Sequence, residues 1–221
     1  MKVDGVLVSH WNGEPPIRSV RTIRALDLQC LRIKCYEVGD PKLVNGVDPQ
    51  FIANRGFARS LGVRWTFFSL YPNISYGIEA QVSEFADVVG SLNMGEAVWF
   101  DWEDDNGALT ESEHDEFVWW FDHFFPESWA TYANDNHTLQ ANWLAKNAQQ
   151  DRPRPVFHPN YSGAGWSDAE LFKAVLWQKG VDLVPGWEKQ LAIDVVLNPE
   201  ALDRLCGYHG RVMGHYDDRR F

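Results

Sequence analysis

Residues 97–105 read Ala-Val-Trp-Phe-Asp-Trp-Glu-Asp-Asp, an apolar run that ends abruptly in acid. A strand usually stops at Gly, Asn or Pro, so carboxylates at this point call for a reason. Side chains two apart on a strand share a face, about 6.5–7 Å from one another along the chain. Asp101 and Glu103 are therefore expected to project together from the carboxyl end of a strand. That end is where α/β barrels and open α/β sheets carry their chemistry. Two carboxylates flanking one point suit the cleavage of a glycosidic bond. In that chemistry Glu103 is the general acid. The charge of Asp101 and an apolar wall from Trp99, on the same face, would keep it protonated near neutral pH. Asp101 would stabilise the developing oxocarbenium ion. A plainer alternative is that Asp101, Glu103, Asp104 and Asp105 form a solvated acidic turn, although such turns seldom begin inside a hydrophobic strand. Clustered carboxylates also suit Mg²⁺ or Ca²⁺, but no ligand loop of EF-hand spacing is present.

The elements that must position these acids alternate along the chain. Short apolar runs at residues 6–9, 31–36, 63–70, 97–102, 129–132, 156–158, 174–178 and 192–195 read as strands. Helical patterns fall between the first five. Residues 17–26 are amphipathic. Asp48-Pro49 reads as an N-cap and first helical residue, with Gly62 ending that helix. Ile78, Val82, Phe85 and Val89 are spaced by three and four within 78–92. Thr110 and Glu113 form a capping-box pattern that opens a helix to about residue 124. Residues 139–146 and the segment from Asn198-Pro199-Glu200 are also helical. This pattern predicts an α/β chain: one domain over 1–221, a flattened, irregular TIM-like barrel of five βα units followed by about three extra strands. An open doubly wound sheet is the competing fold.

The composition narrows the partners. The chain has 221 residues, 45% of them hydrophobic, and a net charge of −11. No Lys/Arg cluster is present to neutralise phosphates, so nucleic acid is not an expected partner. No apolar stretch is long enough to cross a bilayer, and no membrane is expected. The amino terminus has one Lys and no extended apolar core, so no signal peptide is expected and synthesis in a cytoplasm is. Cys30, Cys35 and Cys206 lack metal spacing and are odd in number; Cys30 and Cys35, in an apolar strand-like run, read as buried thiols. His114, His123, His137 and His158 share no ligand spacing, so no metal or other cofactor is expected. The eleven tryptophans exceed ordinary usage; most belong to a core, and some could stack on sugar rings.

Several stretches together resemble glycoside hydrolase family 25, the Chalaropsis-type lysozymes. Gly5-Val6-Leu7-Val8-Ser9-His10-Trp11-Asn12-Gly13 resembles that family's opening strand, and Arg32-Ile33-Lys34-Cys35-Tyr36-Glu37-Val38-Gly39 its second. Asp48-Pro49-Gln50-Phe51-Ile52-Ala53-Asn54 resembles its Asp-Pro-x-Phe-x-x-Asn helix start. Phe100-Asp101-Trp102-Glu103 stands where the family has a catalytic Asp-x-Glu. Leu176-Trp177-Gln178 and Ile193-Asp194 resemble its late strands. The matches run in order from residue 5 to about 205.

The resemblance implies an N-acetylmuramidase acting on the β-1,4 bond between N-acetylmuramic acid and N-acetylglucosamine of peptidoglycan glycan strands. It implies that Asp194 completes the acidic cluster of Glu103 and Asp101. It also implies an aspartate where this chain has Leu7; Asp4, three residues back, is expected on the other face. Tyr132 and Tyr161 are candidates to line the cleft or to pack in the core. Alternation sends one of Trp177 and Gln178 inward, and Trp11, after the first strand, is a candidate for the cleft mouth. Without an obvious wall-targeting repeat, the chain resembles phage lysins and virion-associated lysozymes. That implies action at the cell wall after holin-type release, or as a virion component among other virion proteins. A non-enzymatic alternative is a wall-sugar-binding or structural component of a phage tail, its catalysis weakened by Leu7.

Overall fold

A computed structural model describes residues 4–9, 28–40, 43–102, 109–133, 138–159, 173–183 and 190–207. Eight strands close on themselves in sequence order: β1 (Gly5–Val8), β2 (Cys30–Glu37), β3 (Trp65–Tyr71), β4 (Glu96–Trp102), β5 (Trp129–Ala133), β6 (Val156–Pro159), β7 (Leu176–Leu183) and β8 (Gln190–Val196). The ladders from β1 through β7 are parallel. β8 runs antiparallel to both β7 and β1 and seals the barrel between them. The expected α/β barrel with an irregular last third is the observed fold.

Four helices follow β2 to β5: α1 (Phe51–Leu61), α2 (Ile78–Val89), α3 (Glu111–Phe124) and α4 (Thr138–Ala148). A short α5 (Pro199–Leu205) follows β8. The helix expected over 17–26 lies outside the described residues. α1 begins later than Asp48-Pro49 suggests. Asp48 Oδ1 accepts from the Gln50 amide at 2.8 Å, which closes a turn ahead of the helix, and Gln50 is the N-cap. The capping box of α3 forms as expected, with Thr110 Oγ1 accepting from the Glu113 amide and Glu113 Oε2 from the Thr110 amide. β7 runs five residues beyond the expected stretch, because its pairing with β8 continues past a bulge between Gln178 and Gly180.

Alternation along the strands splits the core into two layers. Val6, Ile33, Phe68, Val98, Phe100 and Trp129 face outward, into an apolar layer shared with the helices. Phe67, Trp99, Tyr132 and Phe157 face inward and fill the barrel. Their rings interlock edge-on or tilted, with centroids 4.9 Å apart for Phe67 and Phe157 and 5.0 Å for Trp99 and Tyr132. β1 and β2 approach so closely at Gly5 that a Cβ there would lie 2.0 Å from Cys30 Sγ. The three cysteines are free, buried thiols.

The amino end of the barrel is plugged by α5. Leu202, Leu205 and Cys206 join the interior cluster, and the Cys206 carbonyl accepts from the Gly95 amide ahead of β4. Trp65 Nε1 and Arg64 donate to Asp203 from the start of β3. Asp4 belongs to the same end: its carboxylate accepts from the Val196 amide. Glu96 fastens α1 to β4 by accepting from Arg55, Arg59 and Asn93. Burial works against the ionised form of Glu96, but these donors hold its carboxyl down at about 2.

One buried titratable group lies outside the barrel among aromatic rings, its Nδ1 3.7 Å from the Asp115 carboxylate. His114 of α3 is fully buried, stacked 4.0 Å from Trp102 and edge-on to Trp143. Neither ring nitrogen has a hydrogen-bond partner among the described residues. Burial, and secondarily the charge of Arg154, pushes its pKa from 6.5 down to about 3. Between those values the unfolded chain binds a proton that the folded chain refuses, so stability falls as pH falls. Urea denaturation at pH 7 and pH 5 is expected to show a loss of about 2 kcal/mol from this residue. His114→Phe should remove that share of the acid sensitivity. An unchanged pH dependence in the variant would exclude His114 as its source.

Candidate active site

The barrel places polar groups inside its apolar shell at few points. On β4, Ala97, Trp99 and Asp101 face inward, and Asp101 stands nearest the carboxyl end, paired in register with Tyr132 of β5. Asp101 is 3% exposed, so it is an interior carboxylate and not part of a solvated turn. Trp99 lies directly beneath it, fully buried, touching Tyr71, Tyr132 and Phe157. Tyr132 is likewise buried inside the barrel.

Asp194 reaches the same interior from β8, where its register partners are Gly5 and Gln178. Both of its oxygens are held by Arg32 of β2: Nε donates to Oδ2 at 2.9 Å and Nη2 to Oδ1 at 2.7 Å. Gln178 Oε1 accepts from the same Nη2. Arg32 and Asp194 are both completely buried. Burial pushes the Asp194 carboxyl up, against the pull of Arg32. Burial opposes the Arg32 charge too, but the adjacent Asp194 more than offsets it, and the guanidinium stays charged. Its carbon lies 5.2 Å from the Trp99 ring centroid and 5.4 Å from that of Tyr132, so two π-faces shield it.

Lys34, two residues along β2, pairs with Glu37 and lies 3.8 Å from Asp40, with its ammonium 4.9 Å from the Tyr71 ring. Sequence reasoning did not single out Arg32 or Lys34. The signal was available: they alternate with Leu31, Ile33 and Cys35 in a strand otherwise apolar at its centre. Charge at every second position of a buried strand marks a polar inner face.

Of the residues expected at the site, Asp101, Asp194, Trp99, Tyr132 and Gln178 all belong to this interior. Glu103, Tyr161 and Trp11 lie outside the described residues. Trp177 lies on β7, in register with His158 and Val195, and its side chain is outside the description. Leu7 is in register with Arg32, so β1 brings an apolar side chain beside the guanidinium. Among the described residues, no group of three or more His, Cys, Asp or Glu side chains is arranged to hold a metal ion. The arrangement offers an inner carboxylate at the barrel's carboxyl end, over an ion pair walled by aromatic rings.

The fold is shared with two solved structures. One is the bacterial lysozyme from Streptomyces coelicolor, 18% identical, with a TM-score of 0.69 over 94% of this chain and 98% of that one. The other is a virulence factor of Streptococcus pneumoniae, a glycosyl hydrolase 25 that participates in host cell invasion. It is 14% identical, with a TM-score of 0.63 over 91% of each chain. At these identities the likeness establishes the barrel. No family model and no curated protein matches the sequence.

The buried pair makes a direct prediction. Arg32→Met leaves the Asp194 charge buried without its counter-ion and is expected to cost about 3–5 kcal/mol in urea denaturation. Arg32→Met combined with Asp194→Leu should cost well under the sum of the two single changes. Strict additivity would show that the two side chains do not stabilise one another.

Proposed function

We propose that the protein is an N-acetylmuramidase that hydrolyses the β-1,4 bond between N-acetylmuramic acid and N-acetylglucosamine in peptidoglycan. The observation that carries this reading is the inward, buried Asp101 at the carboxyl end of β4, in a barrel of the lysozyme type plugged at its other end. Glu103, two residues further along the chain, protonates the leaving glycosidic oxygen. Asp101 raises the proton affinity of Glu103 and stabilises the positive charge developing at the sugar. Asp194 acts together with Arg32: it carries the guanidinium into the interior and contributes local charge balance, not a free carboxylate. The substrate is a glycan strand of the bacterial wall.

One observation favours a second reading. β1 brings Leu7 beside Arg32, so no carboxylate from the first strand adds to Asp101 and Asp194. A barrel weakened in this way would serve as a wall-sugar-binding or structural component, as in a phage tail.

Release of reducing ends from purified peptidoglycan separates the two. The parent protein is expected to release them, and Glu103→Gln to reduce the rate at least about 100-fold with an unchanged thermal melt. Wall binding without any release by the parent would overturn the enzyme in favour of the binding module.

A further inference from the structure

The barrel has an open groove of about 1000 Å³ at its amino end, away from Asp101 and beside the α5 plug. Four separate segments line it: Glu127 ahead of β5, residues 150–155 ahead of β6, residues 173–175 ahead of β7, and residues between 197 and 205 after β8. β8 is antiparallel to its neighbours, so its carboxyl end falls beside the starts of β5 to β7. The groove reverses the charge balance of the chain. The whole chain has 20 Lys and Arg against 31 Asp and Glu. The groove has Arg152, Arg154, Lys173 and Arg204 against Glu127 and Asp151. Arg154 is committed to the fold, donating to Asp122 at 2.9 and 2.8 Å with its guanidinium carbon 4.6 Å from the Trp129 ring centroid. Arg152, Lys173 and Arg204 are exposed and form no ion pair among the described residues. Asp203, the neighbour of Arg204 in sequence, is held by Arg64 and Trp65 instead. Cations gathered without counter-ions repel one another, and an anion from outside relieves that repulsion. They come from three segments, so no basic run in the sequence announces them.

The walls narrow the chemistry of that anion. Their main chain is already engaged in the fold. The Arg154 amide and carbonyl both bond the Asn147 side chain. The Pro155 carbonyl accepts from Thr131, the Val175 amide donates to Val156, and the Val175 carbonyl accepts from Leu197 and Asn198. Pro153 and Pro155 have no N–H to offer. A peptide would therefore bring N–H and C=O groups that find few partners there. No aromatic side chain lines the groove among the described residues, so nucleobases would gain no stacking. A phosphodiester chain on a polyol backbone carries neither N–H groups nor rings, and its phosphate oxygens match guanidinium donors. We propose that the groove binds a phosphodiester-linked polyol polymer through Arg152, Lys173 and Arg204. A polymer held at the amino end leaves the carboxyl end of the barrel open. The inference does not rest on the muramidase reading.

Calorimetric titration of the full chain with poly(glycerol phosphate) tests this. The parent is expected to bind, and log affinity to fall with log salt at a slope of about −2, about 0.7 for each of the three cations. Arg152→Gln, Lys173→Gln and Arg204→Gln combined should weaken binding at least about tenfold and flatten the slope, with an unchanged thermal melt because the three side chains are exposed. Each single change should lower the slope by about 0.7, which serves if the combined variant does not fold. Lys146→Gln, which removes an exposed cation on α4, should alter neither affinity nor slope. Polyglutamate and oligothymidylate of matched charge should bind at least about threefold more weakly, for want of main-chain and stacking partners. No binding by the parent, a loss in the combined variant no greater than in Lys146→Gln, or an equal or tighter hold on polyglutamate or oligothymidylate overturns the proposal.

Discussion

Closure of the barrel by β8 is the constraint on which the rest depends. A sheet that ended at β7 would expose two strand edges, one on β1 and one on β7. β8 pairs with both, and the pairing sets Asp194 between Gly5 and Gln178. That register carries a carboxylate into an interior otherwise filled by Phe67, Trp99, Tyr132 and Phe157. A buried carboxylate without a partner would be expelled or neutralised, so its position demands a cation. Arg32 supplies one in bidentate geometry, and Gln178 accepts a further guanidinium hydrogen. The same strand that closes the fold thus fixes the electrostatics of its interior.

The two ends of the barrel have separate tasks. At the amino end, α5, Asp4, Asp203 and Glu96 tie strands and helices together through hydrogen bonds to backbone or to arginine. These carboxylates serve the fold. At the carboxyl end, Asp101 stands inside the barrel above Trp99. Charges there act strongly on one another, because water is scarce.

Much of this was readable in the sequence. All eight strands show as short apolar runs because each buries at least one face, and alternation placed Asp101 beside Trp99 inside the barrel. The α3 capping box was visible because its two bonds are local. Where the sequence misled, non-local pairing was responsible. β7 outran its apolar run because its ladder with β8, not side-chain hydropathy, holds Gly180 and Asp182 in the strand. α1 started late because Asp48 closes a turn before the helix. Arg32 went unrecognised because its meaning depends on Asp194, 162 residues away. Its alternation with apolar neighbours was the available clue.

The central claim is that this interior cleaves the glycan at the muramic acid residue, and the identity of the new chain ends tests it most directly. Purified peptidoglycan digested with the parent protein is reduced with borohydride, and the soluble fragments are weighed by mass spectrometry. The account predicts that the reduced ends are muramitol. Reduced ends derived from N-acetylglucosamine, or no new ends at all, would contradict it.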